Sequence, residues 1–225
     1  SYKFALVHAL ADLAVLKGDD SGAPLPIDTR EIAARFVELY WRQTRPFPAG
    51  GAAEVVLLQN AGRQAAVVSH IAAAQAASGG SLFRFRQSAE RWGGLVAEAE
   101  RVVRTMPLWK LQTVGREPLV FLYANTGRGR TVTLLPGVTY CLRAFYELVR
   151  DLIEAAWVRF VQRLNAERLG GIVDLGGFLF GEGRTSLEEY RPILFAVQDG
   201  RCLYCGDQLP PSAQVDHFVP WTRYP

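Results

Sequence analysis

The chain has 225 residues, 49% of them hydrophobic and 21% charged, which excludes a disordered or fibrous protein and allows a sizeable core without covalent staples. A net charge of +3 is compatible with a nucleic-acid partner without defining one, because such binding depends on where arginines cluster. Three cysteines make a poor disulfide framework, so reduced thiols and a cytoplasmic location are expected. No apolar run reaches the ~18 residues of a membrane span, and no membrane partner is expected.

Residues 2–17 are apolar on most sides and predict a buried helix; they lack the basic n-region and cleavage site of a signal peptide. Residues 18–26 read as a loop. Asp28 followed by Glu31 forms a helix-start signal, and Ile32, Phe36, Leu39 and Tyr40 recur at helical spacing before Pro46 stops the run. Glu31 with Arg35, and Glu38 with Arg42, are expected to pair four apart on its solvent face. Residues 61–77 are alanine-rich and helical by propensity. Residues 87–105 predict a further helix, weakened at Gly93 and Gly94 and closed by Pro107. Arg84, Arg86, Arg91 and Arg101 gather in this half of the chain.

The period then changes. Residues 119–123 and 131–135 are short β-rich runs flanking the turn residues 125–130, so a hairpin with Arg128 and Arg130 at its tip is expected. Those arginines suit either a phosphate contact or a solvated turn. Gly127 and Gly129 lack the Gly-Lys-Ser/Thr and the strand-loop-helix setting of a phosphate loop. In residues 138–169, Leu142, Phe145, Val149, Leu152, Ala156, Phe160 and Leu164 step by threes and fours, predicting the central helix of the body. Along it, Arg143 and Arg150 are balanced by Glu147 and Asp151, whereas Arg159 and Arg163 are not, which makes the latter two candidate DNA contacts. Residues 174–183 read as a glycine-rich link, and Ser186 with Glu189 as the start of a last helix that stops at Gly200. Trp41, Trp92, Trp109 and Trp157 are expected in the core, Cys141 as a buried thiol, and His8 and His70 as structural residues.

The densest chemistry lies in residues 201–225. Cys202 and Cys205, followed by Gly206, have the spacing of a zinc knuckle, in which two thiolates on a tight turn occupy two corners of a tetrahedral site. One such pair also fits unligated thiols or a redox couple. Beyond Pro210 and Pro211, the run 214–220 reads as a short strand presenting Asp216 beside His217.

Cys202-Leu203-Tyr204-Cys205-Gly206 followed, after a short loop, by Val215-Asp216-His217-Phe218-Val219-Pro220-Trp221 resembles the start of the ββα-metal finger of HNH endonucleases, in the subset braced by a zinc knuckle. The resemblance covers about residues 200–225. It implies that His217 is the general base deprotonating the attacking water and that Asp216 is a ligand of the catalytic Mg²⁺ or Mn²⁺. Cys202 and Cys205 would hold a structural Zn²⁺. Neutral imidazole suits the first role, a hard carboxylate the second, soft thiolates the third. Arg223 follows the pair directly and is a further candidate DNA contact. Residues 35–47, 106–112 and 178–184 are more loosely similar to larger bacterial HNH proteins of restriction or phage defence. In that family the finger continues into a loop with an Asn, a helix with a second metal ligand, and further zinc ligands. None of these lies within residues 1–225, so the chain is expected to be part of a longer protein and to be inactive alone.

The sequence reading is therefore a mainly α protein: a helical body with a β-hairpin over residues 1–198, then the first part of an HNH finger over 199–225. Its expected function is metal-dependent hydrolysis of DNA, with RNA and a homodimeric state both left open. A DNA-binding module with an inactive finger, a zinc-stabilised protein-interaction domain, and a Cys202–Cys205 redox pair are the alternatives.

Overall fold

The computed structural model describes residues 1–47, 56–61, 64–124, 129–169, 174–180, 190–210, 213 and 215. The protein is mainly α-helical, with two small antiparallel sheets among the described residues. It divides into two compact units, Ser1–Gly181 and Glu182–Pro225.

In the first unit, helix α1 (Tyr2–Lys17) is the central element. Ala5, Leu6, Ala9, Leu10, Leu13 and Ala14 are all buried, as its nearly uniform apolar character requires. Strand β1 (Leu25–Asp28) leads into α2 (Thr29–Gln43), whose start is the expected capping box: Asp28 Oδ1 accepts the Arg30 N–H at 2.7 Å and Glu31 accepts the Asp28 N–H at 3.3 Å. Helices α3 (Ala66–Ala77), α4 (Leu82–Arg86) and α5 (Ala89–Thr105) follow, α3 and α5 both packing on α2. Helix α5 runs unbroken through Gly93 and Gly94. Its buried Leu95, Val96, Ala99 and Val103 recur at helical spacing, so packing offsets the low propensity of two glycines.

Short helix α6 (Pro107–Lys110) precedes a hairpin of β2 (Thr113–Val114) and β3 (Glu117–Pro118). This is not the hairpin the sequence suggested. Strand β4 (Thr131–Leu134) pairs instead with β1, Leu25 opposite Leu134 and Asp28 opposite Thr131, so that Ile27, Val132 and Leu134 enter the core. Only a single bridge, Tyr123 to Leu134, joins the two runs expected to pair. The partner of β4 lies a hundred residues upstream, and burying Ile27 under β4 outweighs the local alternative.

The long C-terminal helix is two helices, α7 (Val138–Ala144) and α8 (Tyr146–Leu164), separated at Phe145, whose φ of −114° and ψ of 26° leave the helical region. Both pack on α1. The apolar stripe read from sequence is the buried face only in part, since Leu142 is buried and Val149 and Phe160 pack against the core. Phe145 and Leu152 are 55% and 61% exposed, while Trp157 and Val161 are buried, backed by Tyr146, Val149 and Phe160. Helix α8 is thus a surface helix, and α1 holds the centre. Within the glycine-rich link expected over residues 174–183, α9 (Leu175–Leu179) forms because Asp174 caps it, accepting the Gly177 N–H at 2.7 Å. Arg42 spans to its backbone, donating to the Gly177 and Phe178 carbonyls at 3.0 and 2.9 Å rather than pairing with Glu38. Glu31 likewise takes Lys17, and Glu38 takes Arg35 and Arg86. Trp41 and Trp157 are core as expected, Trp92 is half-buried under Arg86, and Trp109 and Cys141 are exposed.

In the second unit, α10 (Arg191–Val197) begins with Pro192 in its first turn and ends in two left-handed residues, Asp199 and Gly200. The Gly200 N–H donates to the Phe195 carbonyl at 2.9 Å, and a Cβ on Gly200 would lie 3.0 Å from the Phe195 ring. Glycine is what this turn accepts, for reasons of both φ and space.

Candidate metal knuckle and arginine surfaces

Directly after that turn the chain folds back on itself. Arg201 bridges Gln208 in antiparallel fashion, the Cys202 N–H donates to the Asp207 carbonyl at 2.8 Å, and the Leu209 N–H donates to the Gly200 carbonyl at 2.8 Å. The tip is Cys202–Cys205, closed by the Gly206 N–H on the Cys202 carbonyl at 2.9 Å, with Gly206 at φ 76° to reverse the strand. Arg201 Nη1 ties the Gly206 carbonyl at 3.1 Å.

This geometry turns amide N–H groups onto sulfur. Those of Cys205 and Tyr204 point at Cys202 and, with the Cys205 side chain, hold its thiol below the ordinary range, favouring thiolate. At Cys205 the Asp207 N–H acts in the same direction. It is outweighed by proton sharing with Cys202 and by the Asp207 carboxylate, so this thiol sits above the ordinary range. Two neighbouring thiolates repel each other, and a soft cation bound between them would relieve that repulsion. The donor set fits two corners of a zinc site. Among the described residues no group of three or more His, Cys, Asp and Glu side chains forms a complete one.

Asp216, His217, Arg128 and Arg223 lie outside the described residues. No family model, no curated protein and no solved structure matches this chain.

The other candidate contacts separate by environment. Arg130 lies 3.8 Å from Glu100, a buried carboxylate that also accepts the Thr29 hydroxyl at 2.6 Å, so part of its charge serves the body. Arg159 and Arg163 are exposed on α8 without an ion-pair partner among the described residues.

A second cluster escaped the sequence reading. His8 is buried between α1 and α8, with Nε2 3.2 Å from Glu154 Oε1 and Nδ1 3.2 Å from Asp12 Oδ1, the latter contact lying off the hydrogen-bond direction. Tyr146 donates its hydroxyl to Asp12 at 2.8 Å. Asp12 stands four residues after His8 on the same helix, a spacing visible in the sequence; Glu154 had no local signal. His70, by contrast, is exposed on α3.

Proposed function

We propose that this is a metal-dependent nuclease of the HNH kind, hydrolysing phosphodiester bonds in DNA. The observation that carries the reading is the Cys202–Cys205 turn, whose amide-to-sulfur arrangement suits zinc and which is followed about ten residues later in the sequence by the adjacent Asp216 and His217. In this reading His217 takes the proton of the attacking water, a task suited to a neutral imidazole near pH 7. Asp216 is a hard ligand for Mg²⁺ or Mn²⁺, and such an ion supplies charge neutralisation at the phosphate when bound. Cys202 and Cys205 brace the element through Zn²⁺. Exposed arginines on the body supply sequence-independent affinity. A role in restriction or phage defence belongs to the same proposal, as does a cytoplasmic location.

The test is cleavage of supercoiled plasmid by the full-length protein with Mg²⁺ or Mn²⁺, beside a His217→Ala variant. Loss of cleavage in the variant is expected. Equal cleavage by both would remove His217 from the catalytic assignment, whereas none by either with DNA still bound would leave a binding module.

A further inference from the structure

The end of α8 and the turn after it carry Arg159, Arg163 and Arg168, all exposed. Arg35, Arg86, Arg101, Arg130, Arg143 and Arg150 each reach a carboxylate, but these three make no ion pair or hydrogen bond among the described residues. Arg159 and Arg163 are four apart and so share a helix face, separated by about 6 Å along the axis. Arg163 and Arg168 border an open hollow of about 310 Å³ that Leu58, Leu164 and Asn165 also line. Its lining is held in place: buried Asn165 accepts the Leu58 N–H at 2.8 Å and donates to the Leu58 carbonyl at 3.0 Å and to the Val161 carbonyl at 2.8 Å. Glu167 is the one carboxylate among the residues that line it.

Cations at a helix C-terminus also complement its dipole. That role would turn the guanidinium groups onto the last carbonyls of α8. The Val161 carbonyl is instead taken by the N–H and side chain of Asn165, and the Gln162 carbonyl by the Asn165 N–H. Among the described residues nothing takes the donors of these arginines, and a planar fork of donors is matched by phosphate oxygens.

We infer that this arginine-rimmed hollow on the body docks the phosphodiester backbone of duplex DNA. The inference rests on the nuclease reading and adds to it a binding surface remote in sequence from Asp216 and His217. Backbone docking of this kind fixes position without reading sequence, and it releases counterions, so it has a salt signature.

The experiment measures binding of the full-length protein to a fluorescent DNA duplex over a salt series, without added divalent ion. The triple variant Arg159→Gln, Arg163→Gln, Arg168→Gln and the corresponding triple Lys variant run alongside, each with a thermal melt. The Gln variant is expected to lose about 2–3 units of the slope of log K against log salt and at least about tenfold in affinity at low salt, whereas the Lys variant keeps most of the slope. Binding by the Gln variant with native slope and affinity overturns the inference while leaving the nuclease reading standing. An effect confined to an RNA duplex overturns the assignment to DNA. Absence of nucleic-acid binding by the native protein overturns the inference and, with absent cleavage, the nuclease reading as well.

Discussion

His8 and Glu154, 146 residues apart in sequence, meet across the α1–α8 contact with Nε2 3.2 Å from Oε1. Burial alone would lower the His8 pKa, but Asp12 and Glu154 together outweigh it and raise the value to about 9. Because the folded value lies above the unfolded one of roughly 6.5, the stabilisation is fully present below that pH and is lost as pH rises through about 9. Deprotonation removes the positive charge that contacts both Asp12 and Glu154, leaving Arg150 acting on Glu154 and Tyr146 as a donor to Asp12. The contribution is on the order of 2–3 kcal/mol. Urea midpoints should fall between pH 6.5 and 9.5 in the native protein and vary much less in His8→Gln. A parallel pH dependence in the two proteins would show that His8 is not the titrating group.

Cys202 and Cys205 should be required for zinc. Metal analysis of the purified full-length protein is expected to show zinc that Cys202→Ser or Cys205→Ser lowers at least about tenfold. A zinc-free protein whose two thiols form a reversible disulfide would assign them to redox chemistry instead.

Gln112 fastens the stretch between β3 and β4. Its Oε1 accepts the N–H groups of Phe121, Leu122 and Tyr123 at 3.0, 2.7 and 3.2 Å, and its Nε2 donates to the Tyr123 carbonyl at 2.8 Å. The side chain is fully buried, so Gln112→Ala strands several backbone groups and should cost about 2–4 kcal/mol. A denaturation midpoint within error of native would mean water replaces the side chain. Gln112→Glu is expected to be harmful too, since it substitutes an acceptor for the amide donor.

Trp157 is completely buried, ringed by Phe4, Tyr40 and Phe180, and donates its Nε1 hydrogen to Gln59 Oε1 at 2.9 Å. Trp157→Phe keeps much of the packing but leaves Gln59 without that donor; a loss of about 1–3 kcal/mol is expected. Trp157→Ala adds a cavity and should cost about 3–5 kcal/mol. Equal losses in the two variants would assign the stabilisation to the hydrogen bond rather than to packing.

What local chemistry dictates was readable from the residues in order. The apolar run of α1, the Asp28–Glu31 cap of α2, the Gly200 stop and the Cys202–Cys205 turn each depend on groups within a few positions of one another. Properties that depend on which surface meets which were not readable. Strand β4 had a plausible neighbour nearby and took β1 instead, because the pairing that buries Ile27, Val132 and Leu134 together is worth more than a short local hairpin. Helix α8 offers apolar residues on more than one side, and only the position of α1 selects Trp157 and Val161 as its inner face. The same selection leaves Arg159 and Arg163 outward, brings Glu154 to His8, and sends Arg42 away from Glu38 to the backbone of α9. Side-chain spacing names the groups available for chemistry; burial, which is a property of the packed chain, determines which of them are neutralised inside and which stay free for a partner.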